Sequence, residues 1–156
     1  MQKIAILVVC GAIATFTLVA GAAADNPSRE FVPASDFTIS GSCSFDVGVH
    51  VLVNKEYSIT FGDGRTLVQG ALKLRLTNLS NPAKTVTLNV PGPGLFTTSS
   101  DGTLTVHARG PWMFFFTDTL VYSPGHSTLV VSPEGTFTLT QKGGTSTDLC
   151  AVLSGS

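Results

Sequence analysis

Hydrophobic and polar residues alternate one for one along most of the chain that follows residue 44. One apolar row is formed by Phe45, Val47, Val49, Val51 and Val53. The residues between them include Asp46, Gly48 and His50. Because successive side chains of a β-strand point to opposite faces, this period of two predicts a strand with one buried face.

The same alternation recurs in short segments that are separated by turn residues. Further strands are predicted at 57–61, 71–77, 85–90, 95–98, 103–109, 112–116, 119–122, 127–131, 136–140 and 149–153. Gly62-Asp63-Gly64 and Asp101-Gly102 are typical of tight hairpin turns, and no helix is predicted after residue 24. This spacing predicts an all-β fold, an antiparallel β-sandwich of immunoglobulin-like or similar type, with a small β-barrel as the alternative.

The first 24 residues have a different character. Lys3 precedes an apolar stretch, and Ala22 and Ala24 provide an A-x-A cleavage site, which is the layout of a secretory signal peptide. An uncleaved membrane anchor is the alternative, because the apolar stretch nearly reaches across a bilayer. The predicted organisation is therefore a signal peptide at 1–24, a loose N-terminal arm at 25–35 and a single β domain at 36–156.

The cysteines support export. Cys10 lies inside the predicted signal peptide, which leaves Cys43 and Cys150 in the secreted chain. Two cysteines in an exported protein have a single possible pairing, so a Cys43–Cys150 disulfide is predicted, with two free thiols as the alternative. In the chain-entropy account, so long a closed loop stabilises the fold by about 4–5 kcal/mol.

Charge excludes one class of partner. Nine Lys and Arg residues oppose ten Asp and Glu residues, and they are scattered singly along the chain. Nucleic-acid binding requires a basic patch or stripe, so no nucleic-acid partner is predicted. We expect an unidentified extracellular partner or ligand, no cofactor, and membrane contact only through an uncleaved signal segment.

Candidate catalytic and metal-binding residues are few. His50, His107 and Asp46 could form a metal set, but the histidines lack paired spacing, and exposed histidines are the preferred interpretation. No serine lies in a G-x-S-x-G motif, and most acidic residues fall at turns, where Asp has a structural role. Asn78-Leu79-Ser80 matches the glycosylation sequon and lies in a predicted loop.

One apolar run breaks the alternation. A possible binding surface comprises Arg109, Trp112, Met113, Phe114, Phe115 and Phe116. If the segment 112–116 were exposed, it would be an apolar patch of the kind that marks a partner or ligand site. A strand covered on both faces would have the same sequence without any function, so both interpretations stay open.

Three segments resemble a group of small exported proteins from actinobacteria. They are Leu74-Arg75-Leu76-Thr77-Asn78-Leu79, then Lys84-Thr85-Val86-Thr87-Leu88-Asn89-Val90-Pro91-Gly92-Pro93-Gly94, then Asp101-Gly102-Thr103. The similarity extends to Cys43 with Phe45 and Val47, and to Cys150-Ala151-Val152-Leu153, whereas Asn81-Pro82-Ala83 replaces a turn that more usually contains Gly. The resemblance implies export, one disulfide and a β architecture, and it implies no activity and no site residue.

The predicted function is accordingly that of a secreted, non-catalytic protein with a binding or structural role. The alternative is a carrier of small hydrophobic ligands with a barrel pocket lined by residues 112–116. A secreted hydrolase is the third possibility.

Overall fold

The computed structural model describes residues 27–155, which form fourteen strands and one helix. The strands are β1 Ser28–Phe31, β2 Phe37–Ile39, β3 Val47–Asn54, β4 Tyr57–Thr60, β5 Thr66–Gln69, β6 Leu72–Asn78, β7 Thr85–Asn89, β8 Gly94–Thr98, β9 Leu104–Arg109, β10 Trp112–Phe116, β11 Thr119–Ser123, β12 His126–Val131, β13 Phe137–Lys142 and β14 Thr147–Asp148. The helix α1 spans Leu149–Ser154.

The strands form three antiparallel sheets. A seven-stranded sheet has the order β1-β4-β5-β8-β9-β12-β13, a four-stranded sheet the order β2-β3-β6-β7, and a three-stranded sheet the order β10-β11-β14. The predicted all-β sandwich is confirmed, and the barrel alternative is wrong, because the sheets of residues 27–155 do not close on themselves. The predicted hairpin at Asp101-Gly102 joins β8 to β9.

The chain passes repeatedly between the seven-stranded and the four-stranded sheet. It crosses from β1 to β2, from β3 to β4, from β5 to β6 and from β7 to β8, and it leaves β9 for the third sheet at β10. Backbone hydrogen bonds connect neighbouring crossings, from Val32 N to Glu56 O (3.1 Å), Lys55 N to Ala71 O (2.8 Å), Val90 N to Leu72 O (2.8 Å) and Gly92 N to Pro111 O (3.3 Å). These hydrogen bonds place the crossings side by side.

The three-stranded sheet contributes to two separate hydrophobic clusters. Its odd-numbered β10 residues, Met113 and Phe115, pack with the four-stranded sheet around Val47 and Leu76. The alternate β10 residues, Trp112, Phe114 and Phe116, pack with the seven-stranded sheet around Val106, Ala108 and Leu129. The segment is apolar on both faces because each face packs against a different sheet.

The last element differs from its prediction. Residues 149–153 are not a strand, because Leu149–Ser154 form helix α1. The Asp148 carboxylate caps it by accepting hydrogen bonds from Cys150 N (2.8 Å) and Ala151 N (3.2 Å). Leu149 and Leu153 lie four residues apart on one helix face and are 1% and 0% exposed.

The N-terminal segment also differs from its prediction. Residues 25–35 were expected to form a loose arm, but Ser28–Phe31 form β1 at the edge of the seven-stranded sheet, paired with β4. All four β1 residues are exposed, so the strand has no apolar row for a sequence pattern to detect. The prediction of a signal peptide at 1–24 lies outside the described residues.

The predicted disulfide is confirmed. Cys43 and Cys150 are joined across 107 residues, with their Cα atoms 5.5 Å apart. The bond attaches helix α1 to the segment between β2 and β3. Within residues 27–155, no helix is long and apolar enough to cross a membrane.

Candidate functional site

A cavity of about 100 Å³ lies beside the crossings between the sheets. Its lining is almost entirely apolar and consists of Val32, Pro33, Ala34, Phe37, Val51, Val68, Leu72, Leu74, Val90, Gly92, Trp112, Met113 and Phe115. Ser35 and Glu56 are the polar lining residues. The cavity thus combines three aromatic rings with one carboxyl group.

Residues 32–35, here called the strap, form one side of this cavity between β1 and β2. The strap is held at its beginning by Asn54, whose Nδ2 donates to Val32 O at 2.7 Å. At its end the Asp36 carboxylate accepts a hydrogen bond from Val51 N at 2.8 Å and contacts His50 Nδ1 at 2.5 Å. The Val51 amide, followed by His50, lowers the pKa of Asp36 below its ordinary value.

Glu56 lies at the crossing from β3 to β4. Gly70 allows the neighbouring crossing to approach closely, since a Cβ there would lie 2.2 Å from Lys55 O and 2.6 Å from Glu56 Cα. The side chain is half-buried, and this burial raises the pKa of Glu56. Within residues 27–155 the Glu56 carboxyl group has neither a hydrogen bond nor an ion pair. It is therefore an unpaired acid at the edge of an apolar cavity.

The Trp112 ring packs closely against the backbone of two glycines, Gly92 and Gly94. A Cβ on Gly92 would lie 2.5 Å from Trp112 Nε1, and one on Gly94 would lie 2.4 Å from Trp112 Cζ2. The Pro91-Gly92-Pro93-Gly94 motif therefore provides the space for this ring. Trp112 Nε1 is buried and is without a hydrogen-bond partner in the described part of the chain. A buried donor left unpaired costs roughly 1–3 kcal/mol.

The predicted binding surface is divided by the structure. Trp112, Met113 and Phe115 line the cavity. Phe114 and Phe116 belong to the cluster with the seven-stranded sheet. None of the residues in 112–116 is exposed, which is the arrangement expected of a strand covered on both faces.

Arg109 and Glu56 lie differently with respect to the cavity. Arg109, which was named in the possible binding surface, is exposed on β9 and does not line the cavity, whereas Glu56 does. Glu56 and the strap were missed. The signal for Glu56 was weak: an acidic residue between the apolar rows of two strands, next to an interruption in the alternation.

The histidines are exposed, as expected. His50 contacts Asp36, and His107 lies on a different sheet, where its Nδ1 is 3.3 Å from Thr128 Oγ1. The set of His50, His107 and Asp46 is not brought together. Across residues 27–155, no group of three or more His, Cys, Asp or Glu side chains is placed to hold a metal ion.

Asn78, the sequon residue, is the last residue of β6 and is 5% exposed, so it does not lie in an open loop. Its Nδ2 donates to Leu153 O in helix α1 at 3.2 Å. Its Oδ1 accepts from Ser80 N at 2.9 Å and from Asn81 N at 3.1 Å. In the folded protein this amide connects β6 to α1 through a buried hydrogen bond.

Comparison of the chain with protein-family models, with curated proteins and with solved structures finds no match. The resemblance to exported actinobacterial proteins stays a prediction.

Proposed function

We propose that this chain is an exported, non-catalytic binding protein that holds a small ligand in the cavity between its sheets. The cavity supports the proposal because a concave, mostly apolar lining with a few polar groups is the usual form of a ligand site. The main observation behind it is that one apolar cavity is lined both by Trp112, whose buried Nε1 has no hydrogen-bond partner in residues 27–155, and by the half-buried acid Glu56. The proposed ligand is small, as in the alternative of a carrier for small hydrophobic ligands. The ligand site, however, lies in a sandwich and not in a barrel.

The size of the cavity limits the ligand. Its volume is about 100 Å³. A dry apolar cavity of roughly 150 Å³ is large enough to bind benzene, and one water molecule occupies about 30 Å³ of liquid. The preformed space therefore suits a molecule of a few heavy atoms.

Export is supported by the disulfide, because such bonds persist in oxidising compartments. Mass spectrometry of the culture medium tests it directly. We expect a mature protein that begins after Ala24 and is two hydrogens lighter than its reduced form. A full-length chain retained in the cell would contradict export.

Ligand binding can be measured with xenon, a small apolar probe, using the oxidised secreted protein. We expect a saturable change in xenon NMR shift, accompanied by a change in the emission of Trp112, the only tryptophan. Val68 lines the cavity, so Val68→Phe should fill it and abolish the response. Val152 is 43% exposed, so Val152→Phe is the matched control and should leave the response intact. A response that both variants retain would place binding outside the cavity.

A further inference from the structure

We propose that the ligand of this cavity is a small organic ammonium ion, with methyl groups against the aromatic rings and its positive charge beside Glu56. The inference rests on the proposed function, since it names the chemical class that the same cavity would accept. Two features of the lining support an ammonium ligand, namely the aromatic rings and the single carboxyl group, which has no partner within residues 27–155.

The aromatic side chains come from two of the three sheets that line the cavity. Phe37 belongs to the four-stranded sheet, while Trp112 and Phe115 belong to the three-stranded sheet. The rings of Phe37 and Phe115 are 6.1 Å apart at their centroids and are inclined by 36°. Aromatic faces attract cations, and several rings around one cavity are the usual means of binding methylated ammonium groups.

Glu56 supplies the opposite charge. Partial burial disfavours the charged form of a carboxyl group, and it raises the pKa of Glu56. Glu56 also lines an open surface pocket with Arg29 and Lys55. The nearby basic residues do not pair with it. Lys55 is exposed, and the Arg29 guanidinium lies 3.5 Å from the centre of the Tyr57 ring. A cationic ligand would supply the missing partner.

Other ligand classes fit less well. An anion would be placed beside an acidic group, in a cavity whose lining carries no Lys or Arg. A neutral hydrocarbon would fill the space but leave both Glu56 and Trp112 Nε1 unpaired, whereas an ammonium ion would supply a partner for Glu56. A sugar needs many polar partners, whereas Ser35 and Glu56 are the polar side chains among an otherwise apolar lining, apart from the Trp112 Nε1 group.

The test compares two probes of similar shape, tetramethylammonium and tert-butanol, which each contain about five heavy atoms and so suit the cavity volume. Trp112 fluorescence and NMR shifts are followed at constant ionic strength and neutral pH in the oxidised protein. We expect tetramethylammonium to bind about tenfold more tightly than tert-butanol, because only the cation gains from the carboxylate and the rings.

Glu56→Gln keeps the shape of the side chain and removes its charge. We expect it to weaken tetramethylammonium binding about tenfold and to leave tert-butanol binding within about twofold. Glu30→Gln is the matched control, because Glu30 is exposed on β1 and does not line the cavity. It should change neither affinity.

The outcomes separate this inference from the proposed function. Equal affinities for the two probes, or a Glu56→Gln variant that still prefers the cation, would overturn the ammonium assignment while leaving a ligand cavity. If neither these probes nor xenon bound, the proposed function would fail together with the inference.

Discussion

The buried amide of Asn78 offers a sharp test of how the C-terminal helix is held. Replacing Asn78 by Ala removes the donor to Leu153 O and the acceptor for the amides of Ser80 and Asn81. It also leaves a small void at a position that is 5% exposed. We expect the variant to fold with a large loss of stability.

The magnitude follows from the surroundings of each lost bond. Leu153 is 0% exposed, so its carbonyl group would stay buried without this partner, at a cost of roughly 1–3 kcal/mol. Ser80 and Asn81 are exposed, so their amides can bond to water and the loss there is smaller. The total should be about 2–4 kcal/mol, in the range of a broken buried network.

Urea denaturation, followed by Trp112 fluorescence and by circular dichroism, measures this loss. With a slope of about 2 kcal/mol/M, the midpoint should fall by about 1–2 M while the slope stays unchanged. Asn81→Ala is the matched control, since Asn81 is exposed in the same turn and contributes only backbone hydrogen bonds. It should stay within about 0.5 kcal/mol of the wild type. If Asn78→Ala were as stable as this control, the structural role assigned to the amide would be wrong.

The disulfide, the glycines beside the Trp112 ring and the half-buried Glu56 each give a further prediction. Replacing Cys43 and Cys150 together by Ser should lower the free energy of unfolding by about 4–5 kcal/mol, and a urea midpoint equal to that of the oxidised wild type would contradict this. Gly94→Ala places a Cβ 2.4 Å from Trp112 Cζ2 and should cost about 1–3 kcal/mol. The cost should shrink in a Trp112→Leu background when both are measured by circular dichroism, and an equal cost in both backgrounds would show that the ring is not the obstacle. Because burial raises the pKa of Glu56 above 4.5, the folded state holds this proton more firmly than the unfolded state. The wild type should therefore lose stability relative to Glu56→Gln as pH rises above 4.5, and a constant difference from pH 4 to pH 8 would exclude this linkage.

The strand pattern was predictable because burial on one face imposes a period of two. Leu74 and Leu76 are buried while Lys73 and Arg75 are exposed, as their alternation predicts. The pattern fails near Val53, which was assigned to the apolar row but is 37% exposed. A shift in the pairing of β3 with β6 between Val51 and Val53 moves its side chain to the other face.

Helix α1 could not be separated from a strand by its apolar residues alone. Leu149 and Leu153 are separated by four residues, which satisfies both a period of two and one helical turn. The distinguishing signals were Asp148 at the start and Gly155 at the end, where φ is 79°. The cavity was even harder to predict from the sequence, because it depends on hydrogen bonds between crossings that are distant in sequence, such as Val32 N to Glu56 O.

Strand β6 connects the cavity to the region that holds helix α1. Leu72 and Leu74 at its beginning line the cavity, whereas Asn78 at its end is bonded to helix α1. At about 3.3 Å per residue, Leu74 and Leu72 lie four and six steps from Asn78, which separates these regions by about 13–20 Å. Substitutions so far apart, without a shared partner, should act additively on stability. The firmly packed end with Leu153 and the disulfide can therefore stabilise the fold, while the crossings beside the strap leave space that a ligand can occupy. If Asn78→Ala and Glu56→Gln proved non-additive in a double-mutant cycle, this division of the molecule would not hold.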